Sequence, residues 1–266
     1  IIADISSLIA KNVKVLFPEK MGDEWDEMKD MSLDEEKGIY KNSVPLKSIK
    51  NGYLQYIDGE MLIKLGKEYD TLLTLDFRPG DYLVEGQKIG MIYLHESLED
   101  QQIERIQQQF LLGRVRTSQQ DMEFSIHQMV EIASRALSPG VNDPYTAMAC
   151  IDNLTATMAH LSKVKFPSKY RYDDEEKLRV VADTLDYEGM LDASFNQIRQ
   201  YSEGSTAVII RLMEAFITIF DIAHLEEHKK AIKKHAQLVL NLGEKSISEQ
   251  MDIDDLKKRS KILLED

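Results

Sequence analysis

Pro139 and Gly140 stand side by side where one helical pattern stops and another begins, and this corner constrains the fold more than any other stretch. Upstream, Met129, Val130, Ile132, Ala133, Ala136 and Leu137 recur at helical spacing. Pro139 ends that helix, because its ring clashes with the preceding turn and it has no N–H to donate. Gly140 permits the left-handed backbone that follows many helix ends. Asn142 or Asp143 then caps a second helix with Pro144 at or near its first position, and Met148, Ile151, Leu154 and Met158 continue it. The spacing predicts two packed helices joined by about four or five residues.

The start of the second helix presents unpaired backbone N–H groups and the positive end of a dipole, a setting that can receive an anion or a carboxylate. Arg135 lies one turn upstream. One reading is therefore a polar pocket around Ser138, Asn142, Asp143 and Thr146, with Arg116, Arg135 and Arg199 holding a small anionic ligand. The other is plainer. Asn142, Asp143 and Thr146 are residue types that helix starts prefer anyway, and Arg135 can pair with Asp143. Arg114, Arg116, Arg199 and Arg211 then join Asp121, Asp152, Asp186, Asp192 and Glu214 in an ion-pair network that fixes helix packing. The sequence leaves both open.

The run Arg135-Ala-Leu-Ser-Pro-Gly-Val-Asn-Asp-Pro-Tyr-Thr-Ala147, with Cys150, Asp152 and Leu154 after it, resembles the signature of a bacterial predicted-membrane-protein family, domain of unknown function 2254. Four further stretches carry the resemblance: Asn51-Gly-Tyr-Leu-Gln-Tyr-Ile-Asp58, Arg78-Pro-Gly-Asp-Tyr-Leu-Val-Glu-Gly86, Gly113-Arg-Val-Arg-Thr-Ser-Gln-Gln-Asp121 and Phe195-Asn-Gln-Ile-Arg-Gln-Tyr201. They fall in order over most of residues 1–225. The resemblance implies a full-length protein with several N-terminal transmembrane helices, followed by a soluble region to which this chain corresponds. It brings no reaction and no assigned catalytic residues.

A chain of 266 residues is long enough for one large domain or two and for a sizeable core. Its 43% hydrophobic and 30% charged content is that of a globular protein. A net charge of −13 argues against nucleic acid or anionic lipid as partners of the average surface. Cys150, the only cysteine, forbids an internal disulfide, and its apolar helical setting makes it an inert buried thiol. The most apolar window, Ala207 to Phe220, is broken by Arg211 and Glu214 and reads as a buried helix rather than a membrane span.

Residues 1–44 form an N-terminal helix with Ile5, Leu8, Ile9, Val13, Leu16 and Phe17 on one face, ended by Pro18, then an acidic linker anchored by Trp25. Residues 45–96 read as a small β-rich module. Its strands are Gly52 to Ile57, Thr71 to Phe77, Tyr82 to Val84 and Lys88 to Leu94, with a helix from Glu60 to Tyr69 and a turn at Arg78-Pro-Gly-Asp81. The run Pro79 to Ile89 resembles turns of biotinyl/lipoyl-like β-barrels, without the lysine hairpin that a prosthetic group needs. Residues 97–266 read as helical almost throughout. They comprise a helix to Leu112, one capped by Thr117 or Ser118, the corner pair, a polar loop over residues 165–174, a short element from Lys177 to Ala182, and helices from Met190, Thr206, 227 and 246. The fold class expected is α+β: a barrel-like module followed by a mainly α-helical domain.

Familiar catalytic patterns are missing. Ser138 and His127 lie eleven residues apart, roughly three turns along one helix, and no Gly-x-Ser-x-Gly elbow occurs. His224-Leu-Glu-Glu-His228 lacks the zincin glutamate position, so an exposed charged helix end is the reading for His224, His228 and His235. No cofactor or metal is expected, and no nucleic-acid platform. The function expected is a non-catalytic domain for assembly, interaction or ligand sensing. It would sit beside its own transmembrane region at the cell membrane, on the cytoplasmic side by preference, and form a homo-oligomer. The rivals are a gating domain of a transporter or channel and an enzyme acting on a small anionic substrate.

Overall fold

A computed structural model describes residues 2–16, 32–118, 120–164 and 166–265, with the backbone alone for 10–16. The described elements run α1 (Ile2–Leu16), α2 (Leu33–Gly38), β1 (Asn42–Lys47), β2 (Gly52–Ile57), α3 (Gly59–Glu68), β3 (Thr71–Leu75), β4 (Tyr82–Leu83), β5 (Lys88–Leu94), α4 (Asp100–Gln107) and β6 (Phe110–Gly113). Then come α5 (Met122–Ala136), α6 (Pro144–Leu161), β7 (Tyr170–Tyr172), β8 (Leu178–Ala182), α7 (Tyr187–Tyr201), α8 (Thr206–Ile222), α9 (Glu226–Ser246) and α10 (Gln250–Leu264). The chain divides into two units. The helical one holds α1 and α5–α10; the other holds α2–α4 and every described strand.

In the helical unit, α8 lies centrally, with α6, α9 and α10 against it. Its Val208, Ile209, Leu212, Met213, Phe216 and Ile219 are buried, a wide apolar stripe at helical period. Phe216 meets Phe195 of α7 edge-to-face at 4.9 Å, and side chains of this size each stabilise by about 1.5–3 kcal/mol when buried. Arg211 and Glu214 project from the flank of α8. Arg211 pairs with Asp152 of α6 at 3.2 Å, and Glu214 with Arg259 of α10 at 2.6 Å. The α1 helix packs against α5 and α6 through Ile2, Ile5 and the buried Ile9. Pro18 and Trp25 lie outside the described residues. No described helix is long and apolar enough to cross a membrane.

The strands form two open sheets. One has the order β1-β5-β3-β8-β7, antiparallel except for the β3–β8 pair, where Leu73 lies opposite Val180. The other is an antiparallel β4-β2-β6 sheet. Leu46, Leu54, Leu62, Leu73, Leu83, Ile92 and Ile106 form their shared core. The barrel-like, biotinyl/lipoyl-like expectation is thus corrected. The chain leaves the first sheet after Leu75, passes the Arg78-Pro-Gly-Asp81 turn, enters the second sheet as β4, and returns as β5. Strands β1 to β6 therefore alternate between sheets instead of closing one. The turn forms as read: Asp81 N–H donates to the Arg78 carbonyl at 3.1 Å, and Gly80 takes φ +106° while its N–H donates to Leu54.

The division of the chain also departs from a border at residue 96. Both α4 and β6 belong with the strands, and residues 167–184 return to them as β7 and β8. Ile103, Ile106, Phe110 and Leu111 match helical spacing, but a four-residue strand with alternating burial ends the pattern, leaving Leu111 exposed. Within the expected acidic linker, Ser32 and Glu35 form a reciprocal capping box for α2, and β1 begins at Asn42. Arg179 fixes β8 to the α3–β3 turn. It is 4% exposed and donates to Asp173 at 2.7 Å and Asp70 at 2.8 Å. Asp70, in left-handed backbone at φ 49°, also accepts from Lys177.

Candidate functional site

The corner is built as the sequence indicates, with one exchange of roles. After α5 the Ser138 carbonyl accepts from Val141 and Asn142, at 3.0 and 2.9 Å, and Asp143 N–H returns to Ala136 at 2.8 Å. These bonds satisfy carbonyls that a helix end leaves open. The left-handed residue is Asn142, at φ 48°, and not Gly140. A short polar side chain tolerates that conformation where most cannot. Pro144 occupies the first turn of α6, and Asp143 caps it. The Asp143 carboxylate accepts from the Thr146 N–H at 3.1 Å and from its hydroxyl at 2.5 Å. Those bonds hold its carboxyl below the usual range. The helix start read as an anion seat is therefore capped by the chain's own carboxylate.

Beside the corner, α5 and α7 enclose a cleft of ≈ 520 Å³, lined by His127, Glu131, Ser134, Arg135, Ser138, Gln197 and Tyr201. The α5 residues repeat at three and four, so one face of that helix forms a wall. Gln197 and Tyr201 stand one turn apart on α7. Arg135 is 77% exposed and pairs with Glu131 at 2.5 Å, not with Asp143. Ser138 Oγ donates to the Arg135 carbonyl at 2.7 Å. Ser134 is 6% exposed, and its hydroxyl has no partner among the described residues. Val141 and Tyr145 project from the corner, 61% and 79% exposed.

Of the expected site residues, Arg135 and Ser138 line this cleft, while Asn142, Asp143 and Thr146 build the corner next to it. Arg116 belongs to the other unit, where it donates to Asp121 at 2.7 and 2.9 Å. Arg199 lies in the last turn of α7, outside the lining, with its Nε buried and unpartnered among the described residues. Glu131, Ser134, Gln197 and Tyr201 are lining residues that the sequence does not single out. The signal available was the helical step back from Arg135 through Glu131 to His127; nothing in the sequence pairs α5 with α7.

An exposed Glu131–Arg135 pair on one helix is worth about 0.3–0.5 kcal/mol, so an acidic group entering the cleft can take the guanidinium at little cost. The Tyr201 ring offers an amphipathic side wall. Ser138 and His127 stay roughly 16 Å apart along the helix, and the Ser138 hydroxyl is engaged with backbone. Burial pushes the Cys150 thiol up to about 11. Among the described residues no group of three His, Cys, Asp or Glu side chains is placed to hold a metal.

The histidines of α9 correct the exposed-end reading. His224 is exposed, but His228 is buried, stacked on Tyr187 at 4.1 Å with Nδ1 3.0 Å from the Ser162 carbonyl. His235 is 1% exposed. Helical spacing puts His228 and His235 on the inward face with Ala231 and Ile232, a stripe concealed by the surrounding lysines.

Comparison with known proteins agrees with the motifs. The chain is 28% identical over 217 residues to "Uncharacterized protein Mb1321c" of Mycobacterium bovis (strain ATCC BAA-935 / AF2122/97) and to "Uncharacterized protein Rv1290c" of Mycobacterium tuberculosis (strain ATCC 25618 / H37Rv). Each alignment covers 79% of this chain, and the chain spans 41% of the length of these relatives. No solved structure matches. The family described as "Predicted membrane protein (DUF2254)" matches residues 1–218, and the chain belongs to that family.

Proposed function

We propose that this chain is a ligand-sensing domain of a bacterial membrane protein, with the α5–α7 cleft as its ligand seat and α1 as its link to the membrane part. The ligand is a small organic or inorganic anion whose acidic group takes the Arg135 guanidinium and whose body lies along Tyr201 and Gln197. The observation that carries this reading is the arrangement of α5. One face lines the cleft, and the helix also packs against α1, whose Ile9 is inserted in the same core. A ligand that shifts α5 therefore acts on α1 through packed side chains, which transmit displacement because interiors are close-packed. The domain lies on the cytoplasmic face in this reading, and copies assemble through the membrane part.

Thermal melts of the chain with phosphate, sulfate, acetate and citrate test it. A ligand at a hundredfold its Kd stabilises by about 2.7 kcal/mol, so one of these anions raises Tm saturably, and Arg135→Ala removes the rise. Without ligand that variant melts within a degree or two of the parent, because the pair it breaks is exposed. A large loss of intrinsic stability in Arg135→Ala, with no anion shifting the parent, would leave the ion-pair network as the role of this residue.

A further inference from the structure

The contact between α7 and α9 is an unusual place for polar atoms. His235 of α9 is 1% exposed, and neither ring nitrogen has a hydrogen-bond partner among the described residues. Across from it, α7 presents Asp192, Asn196 and Arg199 on one face at steps of four and three. Asn196 Oδ1 and Arg199 Nε are likewise buried without partners, while Asn196 Nδ2 donates to Asp192 at 2.7 Å. The third wall is α8, which places the Phe216 ring 5.6 Å from the imidazole. A buried polar group left unbonded is destabilising, and a buried imidazole with both nitrogens unbonded calls for a function.

The charges facing the imidazole are nearly balanced. Asp192 Oδ1 lies 3.2 Å from Nε2 without hydrogen-bond alignment, and Glu188 adds a second carboxylate. Arg199 on α7 and Lys234 on α9 oppose them, with Lys234 itself paired to Glu188. Burial is the largest influence and holds the imidazole below its ordinary value; Asp192 pulls the other way.

We infer that His235 is a proton-binding site that controls the α7–α9 contact: neutral, it lets the helices close, and protonated, it loosens them. The proton adds to a ring nitrogen and makes an imidazolium that the Phe216 side of the site cannot solvate. Relief comes by moving the ring out of the contact into solvent, beyond the half-exposed Asp192, which separates α9 from α7. Because α7 also carries Gln197 and Tyr201 into the cleft, acidification reaches that cleft through the same helix.

A histidine whose folded value lies below its unfolded value near 6.5 contributes stability that is present above 6.5 and lost as pH falls toward the folded value. Hydrogen–deuterium exchange of the full chain reads the opening directly, once corrected for the intrinsic pH dependence of exchange. In the parent, α7 and α9 exchange faster as pH falls from 7.5 to 5.5, with about tenfold as the ceiling one pH unit below 6.5. His235→Phe, apolar beside Phe216, abolishes the rise. Asp192→Asn removes the carboxylate that favours the proton and moves the rise to lower pH. If His235→Phe does not fold, the half-exposed Asp192 position decides alone. Flat exchange across this range in the parent, or an Asp192→Asn profile superimposed on the parent's, overturns the inference. The readout is helix opening and involves no ligand, so it stands or falls separately from anion binding in the cleft.

Discussion

Arg116 grips Asp121 with two hydrogen bonds, 2.7 and 2.9 Å long, at a site where the Asp121 side chain is 1% exposed and the backbone of Gly80 lies against both. A buried carboxylate so held has this guanidinium as a counter-charge, and removing either takes two charge-assisted hydrogen bonds from the other.

Asp121→Ala and Arg116→Ala should each therefore cost about 3–5 kcal/mol. Arg116 is 24% exposed, which puts its own loss at the lower end. Urea melts of the two single variants and the double variant check this. The double should be less destabilised than the two singles added together, since the bonds the pair shares are lost only once.

Gly90 of β5 pairs with Leu75 at the end of β3, and a Cβ there would lie 2.1 Å from the Thr74 carbonyl oxygen. That atom is backbone in the middle of a sheet and cannot swing aside. Gly90→Ala should destabilise the protein by about 3 kcal/mol or more, the upper range for overpacking. A denaturant midpoint equal to the parent's would contradict the placement of these strands.

Asp70 gives an acid limb to stability. Its bonds to Lys177, then Arg179, lower its carboxyl to about 2, against 3.8 unfolded. Stability from this group is present above 3.8 and disappears as pH falls through about 2. Asp70→Asn keeps a side chain that tolerates the left-handed backbone and removes only the charge. Its melting temperature should fall less steeply than the parent's between those two pH values, although half exposure of Asp70 limits the size of the effect.

Cys150 is fully buried in α6, and its thiol is pushed up to about 11. A thiol reagent at neutral pH should leave the native chain unmodified for as long as it stays folded. The labelling rate measured along a urea series should track the unfolded fraction, and fast labelling without denaturant would show that α6 opens locally.

The elements easiest to read in the sequence are those whose signals are local. Pro139, Asp143 and Pro144 mark the corner because each acts on its own turn. The apolar stripe of α8 needs only the 3.6 period. What stays hidden depends on partners distant in the chain. Nothing near Val180 says that it pairs with Leu73, so β7 and β8 look like a loop and a short element until the sheet is seen. The arginines fail as a set for a different reason: their partners are local and divide them between the two units. Each needs a partner, but the partner of Arg116 is five residues away in the β-containing unit, and that of Arg135 is one turn back on its own helix. The cleft is half legible: its α5 wall is a helical repeat, and its α7 wall is a tertiary fact.

The parallel pairing of β3 with β8 carries a consequence for synthesis on the ribosome. β3 is complete at Leu75, but its second neighbour arrives only with Leu178–Ala182, about a hundred residues later. At ~5–20 residues per second, that edge waits roughly 5–20 s with its N–H and C=O groups unclaimed. For that interval the nascent chain carries a sticky strand that only its own later translation can cover, so the speed at which residues 76–182 are made bears directly on how much of this protein escapes aggregation.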